Sequence, residues 1–498
     1  MGRFDKPFEM APRPWLPTKK NDPETRTVLE MPPRTWIPTP KARFQDVRIC
    51  DGLNQALNPL DIGMGQATSI LNFVPFEYPT LAVRKGYTQN GTTRTGHYIT
   101  HLRKYNGTLV YGDKYGVYKH LGGAWTNIID NVSPAERYWQ MVQYDNNLYM
   151  VDGLSKVQKY NGSSTSAVTD TPTNSKHITL HANRMFLVAD DEPNVIRWSK
   201  YENPDVFNTF LGDNSDSGFQ PISSNVNDPI VGIVTFRDRV VIFKKYSFHE
   251  LYGERGYDFA INDISTHVGC AAWRTICEVN GVLYFLGNDG VYPYSGGNIP
   301  RMPISDPVRE YINDINYTYL DQCVAGTDGR RYFLTLVTGL NSSPNVTLMY
   351  DPEKARTGPD NGWFVMSYSA TAFLDDEENW YTGTSVGKIF NMNDGDTDAG
   401  TDIAYEVVTK PIVNGSWHVK KRLNKLKMIV DIPSGATMDI YYSTSTDGND
   451  WELIKTLSPT ADVVNAPIVL VGKRSEWFRI KVSGTGRVKI YATAYEVE

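Results

Sequence analysis

His177 and His181, four residues apart, are the first side chains in this sequence that could hold a metal ion. On a helix such a pair shares a face and can ligate one cation. The segment His177-Ile178-Thr179-Leu180-His181 alternates like a strand, in which positions four apart lie about 13 Å from each other. Both are therefore read as packing residues, and the remaining histidines, His97, His101, His120, His249, His267 and His418, show no ligand spacing. Asp394, Asp396 and Asp398 are a calcium candidate, because carboxylates at alternate positions of a curled loop can converge on one hard cation. The EF-hand order fails there: glycine comes one position late, at Gly400, and Tyr405 stands where the closing glutamate belongs. The segment is therefore read as a solvated acidic hairpin loop, with calcium the weaker alternative.

The acidic runs Asp190-Asp191-Glu192 and Asp375-Asp376-Glu377-Glu378 fall at hairpin ends, where charge is ordinarily solvated. Turned toward a channel, Asp190, Asp191, Asp375 and Asp376 would repel the phosphates of passing DNA. Ser443-Thr444-Ser445-Thr446-Asp447-Gly448-Asn449-Asp450-Trp451 resembles the Asp-box turn of propeller glycosidases, which is a folding element and not a catalytic one. A glycosidase also needs two carboxylates facing each other across a pocket, and no such pair can be assigned. The sequence holds no G-x-S-x-G elbow, P-loop or H-E-x-x-H motif. The chain is accordingly expected not to be an enzyme and to carry no cofactor.

The elements that position these residues follow a beat: a polar turn, then an aromatic-aliphatic strand. It occurs at Asn106-Gly107-Thr108-Leu109-Val110-Tyr111, Asn146-Asn147-Leu148-Tyr149-Met150, Asn183-Arg184-Met185-Phe186-Leu187-Val188 and Asp238-Arg239-Val240-Val241-Ile242-Phe243. It returns at Asn280-Gly281-Val282-Leu283-Tyr284-Phe285, Asp328-Gly329-Arg330-Arg331-Tyr332-Phe333-Leu334 and, less regularly, Glu378-Asn379-Trp380-Tyr381. Copies spaced by roughly 40 to 55 residues predict a β-propeller, whose four-stranded blades bury both faces only by stacking on neighbours. The expected fold is all-β, with a propeller of about seven blades over 97–410. From 411 to 498 short alternating strands, among them Lys425-Leu426-Lys427-Met428-Ile429-Val430-Asp431 and Trp477-Phe478-Arg479-Ile480-Lys481-Val482, predict a β-sandwich.

Residues 1–45 are rich in proline and basic residues and lack strand or helix period, so an extended arm is expected. The arm contains a duplication: Phe8-Glu9-Met10-Ala11-Pro12-Arg13-Pro14-Trp15-Leu16-Pro17-Thr18 returns as Leu29-Glu30-Met31-Pro32-Pro33-Arg34-Thr35-Trp36-Ile37-Pro38-Thr39. Tryptophan and arginine anchor interfaces, and prolines reduce the entropy lost on docking. Arg13, Trp15, Arg34 and Trp36 are the expected partner-docking residues; the alternative is a spacer packed on the chain's own propeller.

The whole chain has 498 residues, with 50 Lys and Arg against 56 Asp and Glu. That balance excludes a sequence-independent nucleic-acid binder that works by bulk charge. Cys50, Cys270, Cys277 and Cys323 form no C-x-x-C pair and are read as reduced and structural. The N-terminal residues have no apolar core of a signal peptide and no stretch is long enough to span a bilayer, which predicts synthesis in the cytoplasm without membrane insertion.

Residues 46–96 read as a leader into the propeller, with Gly52-Leu53-Asn54, Asn58-Pro59, Gln66-Ala67 through Asn72, and Arg84-Lys85-Gly86-Tyr87 in that order. This series, followed directly by blades, resembles the opening of a family of tailed-phage structural proteins. The resemblance implies a nozzle- or hub-like component of the virion tail, assembled in the host cytoplasm. It also implies a homo-oligomeric ring, commonly a hexamer, that contacts adjacent tail or portal-adaptor proteins and passes double-stranded DNA without sequence-specific contact. The competing class is a receptor- or glycan-binding tail protein, or a propeller glycan hydrolase, using aromatics such as Trp125, Trp139, Trp198 and Trp363.

Overall fold

Each of the seven copies of the beat forms the turn and second strand of one blade. The computed structural model describes residues 44–47, 49–75, 81–121, 124–130, 137–224, 228–358, 360–413, 418–445, 450–460, 463–469 and 474–497. Its regular structure is almost entirely β, and no helix among the described residues is long and apolar enough to cross a membrane.

Seven antiparallel sheets form the propeller, with inner strands Ile99–Tyr105, Gln140–Tyr144, Ser175–His181, Ile230–Phe236, Cys277–Val279, Val324–Thr327 and Ala372–Asp375. Neighbouring inner strands touch around the circle, with the Trp273–Thr275 turn bridging the fourth and fifth blades, and the last returns to the first. The second strands, such as Arg184–Ala189 and Tyr332–Leu336, are buried along their whole length. That explains their unbroken apolar character. The hairpins leading into them need positive φ, as at Asn106 and Gly107 (44° and 77°) and Asn280 and Gly281 (50° and 75°), which asparagine and glycine tolerate best. The fifth blade has three strands among the described residues.

The seventh blade is closed from the other end of the propeller sequence. Tyr87–Asn90 pairs antiparallel with Ile389–Met392, so a strand that precedes blade one completes blade seven. Opening the ring therefore requires breaking a sheet.

Residues 44–83 differ from the expected leader because their strands lie in the β-sandwich. One sheet of the sandwich has Val463–Val469, Lys421–Ile432, Lys489–Val497, Leu81–Val83 and Phe73–Val74 in order, with Phe44–Val47 also pairing to Lys489–Val497. The other has Gly52–Leu53, Gln66–Leu71, Ala404–Thr409, Arg479–Thr485, Thr437–Ser443 and Glu452–Leu457. The sandwich thus draws on 44–83 and 404–409 as well as on the segment expected at 411–498. The reason is apolar area: Phe73, Leu81 and Val83 share one continuous core with Met428, Ile440 and Val482 of the sandwich and with Trp363 and Phe364 of blade six.

Candidate functional site

Two polar centres stand out: one on the propeller axis, the other where the sandwich meets blade six. On the axis, inner-strand residues of six blades, with Trp273, Arg274 and Ile276 just before the fifth blade's first strand, line a cavity of about 390 Å³. Arg274, from the short turn Trp273–Thr275 before the fifth blade's first strand, reaches nearly across it. Its Nη2 donates to Thr100 O of blade one at 2.7 Å and to Thr371 O at the start of blade seven. Its Nη1 donates to Asp321 O at 3.3 Å, and the guanidinium lies 5.0 Å from the Tyr138 ring centroid. One buried side chain thereby ties together segments of five blades. It crosses the axis at the end where the inner strands begin.

The second centre is built from the leader motifs. Asn72 is fully buried; its Oδ1 accepts from Arg84 Nε and Ser367 N, both at 2.9 Å, and its Nδ2 donates to Ser367 Oγ at 2.8 Å and Ala404 O at 2.7 Å. The Arg84 guanidinium then meets Asp398 through two bonds, at 2.8 and 2.6 Å. Gln66 accepts from Asn54 Nδ2 at 3.1 Å and donates to Asn361 Oδ1 at 2.8 Å and Asp360 O at 3.1 Å. The glycines are fixed by close approach: a Cβ at Gly52, whose φ is +105°, would sit 2.5 Å from Trp363 O, and one at Gly86 would sit 2.0 Å from Thr397 O. Asn54, Gln66, Asn72 and Arg84 are thus joining residues. They bind the sandwich to blade six and to the 394–402 loop.

That same loop contains the calcium candidates, and the structure sends them to three partners. Asp394 accepts from Thr88 Oγ1 at 2.5 Å, Asp396 pairs with Arg487 at 2.9 Å, and Asp398 pairs with Arg84. No group of three or more potential metal ligands occurs among the described residues. Each carboxylate is thus engaged by a different donor.

The acidic runs do not form one surface. Asp190 and Asp191 lie in the turn between the second and third strands of blade three, while Asp375 and Asp376 lie between the first and second strands of blade seven. In a meander whose inner strands all run alike, these turns fall on opposite faces of the propeller. Asp190 pairs with Lys176 at 2.9 Å, and Asp376 with Lys104 at 2.9 Å; Asp191 is exposed. Burial raises the pKa of Asp375.

His177 is buried against Trp273, and His181 bonds Gly253 O at 2.8 Å. Trp139 and Trp363 are fully buried, Trp198 is nearly so, and Trp125 stacks edge-on against Tyr111 at 4.7 Å. Trp451 lies under Arg479 and Lys481, while the 446–449 turn of the Asp-box segment lies outside the described residues. Arg13, Trp15, Arg34 and Trp36 also lie outside them. None of the four cysteines takes part in a disulfide among the described residues.

One constellation escaped sequence reading. Ser247 Oγ lies 3.0 Å from His249 Nε2, and His249 Nδ1 lies 2.7 Å from Asp263 Oδ1, the order of a nucleophile, base and orienting acid. Its exposure is inverted relative to a working triad: Ser247 and His249 are buried at 4% and 2%, whereas the Asp263 side chain is 66% exposed. The chain of bonds pins the outer strand of blade four to its neighbour. Ser247 and His249 sit two apart at the start of one strand, a local signal, but Asp263 reaches them only through strand pairing.

No family model and no curated protein matches this chain. Solved structures similar to it include the extracellular domain of a protein described as a one-component system from B. thetaiotaomicron. That likeness is 12% in identity, covers 74% of this chain and 47% of that one, and has a TM-score of 0.42. The computationally designed protein Ika8 is 11% identical over 61% of this chain and 99% of its own, with a TM-score of 0.37. The Neurospora crassa Pan2 WD40 domain is 8% identical over 62% and 95%, with a TM-score of 0.40. The chain spans about half the length of the first of these. At these identities and scores the likeness says nothing about function.

Proposed function

We propose that this chain is a structural, non-enzymatic component of a phage tail, of nozzle or hub type, whose copies form a ring around the DNA-ejection channel. The observation that supports the reading is the fate of the motif residues. Asn54, Gln66, Asn72 and Arg84, which carry the resemblance to tailed-phage structural proteins, are spent on a buried network joining propeller to sandwich. Domains in one chain normally move relative to each other unless their interface is large and apolar. Here a shared core and a polar network together make one stiff body, as a channel wall requires.

In this reading the ring is a hexamer, seated in the virion tail, and neighbouring subunits or adjacent tail and portal-adaptor proteins are tied by Arg13, Trp15, Arg34 and Trp36. The passing DNA meets no sequence-specific contact, and no cofactor takes part. Against the glycan-binding alternative, three of its four aromatics, Trp139, Trp198 and Trp363, pack inside the propeller, while Trp125 is partly exposed. Mass photometry of the full chain tests the reading: a closed oligomer is expected, and Trp15→Ala with Trp36→Ala should shift it toward monomer. An oligomer unchanged by both substitutions would remove the arm from the account.

A further inference from the structure

The axial cavity carries an unbalanced charge. Arg103, Arg274 and His101 line it, together with Thr100, Gln140 and Thr179, and among the described residues no aspartate or glutamate belongs to its wall. Arg274 is held by the carbonyls of Thr100, Thr371 and Asp321. Arg103 is less well provided for: its Nη1 donates to Met141 O at 2.9 Å, while its buried Nε has no hydrogen-bond partner among the described residues. Arg103 is partly buried, and a guanidinium drawn partly out of water ordinarily faces a carboxylate, since desolvating an uncompensated charge is unfavourable. Burial lowers the pKa of Arg103. It also pushes His101 down to about 3, with the charges of Arg103 and Arg274 adding to the effect, so at neutral pH the imidazole is uncharged.

We propose that the axial cavity binds a small oxyanion, a phosphate- or carboxylate-bearing molecule, with Arg103 as its main charge partner. A guanidinium offers a planar fork of donors that fits either group. Neutral His101 and the side chains of Gln140 and Thr179 supply further hydrogen bonds from the wall. The volume suits a small molecule and is too small for a polymer strand. Arg274 then has two roles, closing one end of the cavity and adding positive potential.

Inorganic phosphate and succinate, titrated separately into the full-length protein at fixed ionic strength, test this by calorimetry and thermal melting. Saturable binding of at least one anion is expected, with a melting temperature that rises with its concentration. The anion that binds identifies the class. Arg103→Met should weaken that binding at least about tenfold, the loss of one charged hydrogen-bond partner. Arg103→Gln, which keeps a donor for Met141 O, should weaken it similarly and guards against a folding defect in the first variant. No saturable binding of either anion at millimolar concentration overturns the proposal. So does an affinity that either folded variant leaves unchanged.

Discussion

Arg84 and Asp398, 314 residues apart in sequence, are joined by a two-bond ion pair of 2.8 and 2.6 Å, with Arg84 only 4% exposed. The pair closes a network that begins at Asn72, so the join between sandwich and propeller depends on charge as well as apolar contact. Removing one partner leaves the other charge buried and unpaired.

Asp398→Ala should therefore destabilise the protein by about 3 kcal/mol or more. Asn72→Ala, which strips several buried bonds at once, should cost about 2 kcal/mol or more. Gly52→Ala should also destabilise, since φ is +105° there and the new Cβ meets Trp363 O. Chemical denaturation reads all three. A separate early transition for the sandwich in these variants would show that the join, not either domain alone, has been weakened.

Arg274→Met tests the axial clasp. It leaves the carbonyls of Thr100, Thr371 and Asp321 without their donor and should lower stability by about 2 kcal/mol or more. Hydrogen exchange should speed first in blades one and seven, the ones it reaches across the axis. Faster exchange confined to blade five would give Arg274 only a local role.

His177 supplies a pH dependence. Burial holds its folded pKa at about 3, below the ordinary value of 6.5, and neither ring nitrogen has a hydrogen-bond partner among the described residues. The fold keeps the neutral ring, so this stability is fully present above about pH 6.5 and is lost as pH falls toward 3. His177→Leu should flatten the decline of melting temperature between pH 6 and about pH 4 while leaving stability at pH 7.5 nearly unchanged. An equally steep acid decline in the variant would place the titration elsewhere, His101 being the next candidate.

Ser247 should not behave as a nucleophile despite its hydrogen bond to His249. A fluorophosphonate probe is expected to leave the folded protein unlabelled, and Ser247→Ala should instead weaken blade four. Labelling that Ser247→Ala abolishes would make the constellation catalytic.

The propeller was legible because most second strands are largely buried and several follow turns where Asn, Asp or Gly takes a positive φ, as at Asn106, Asp145 and Asn280. Val240–Phe243 and Leu283–Leu286 show that pattern without interruption. The closing strand Tyr87–Asn90 was not, because an outer strand is half exposed and carries no apolar run. Nor was the place of 44–83 in the sandwich, since Ile70 finds Val407, and Ala82 finds Lys489, only across hundreds of residues. The motif residues Asn72 and Arg84 were visible as types in order, but their partners Ser367 and Asp398 were not. Arg274 gave no sequence signal at all, because it acts on backbone carbonyls, which every residue type presents.

Electron cryomicroscopy of the purified full-length chain tests the central claim most directly. The account predicts a closed cyclic ring, sixfold, with the subunits surrounding an axial opening wide enough for double-stranded DNA, about 20 Å across or more. A monomer at all concentrations, or a trimer with no axial opening, would contradict it.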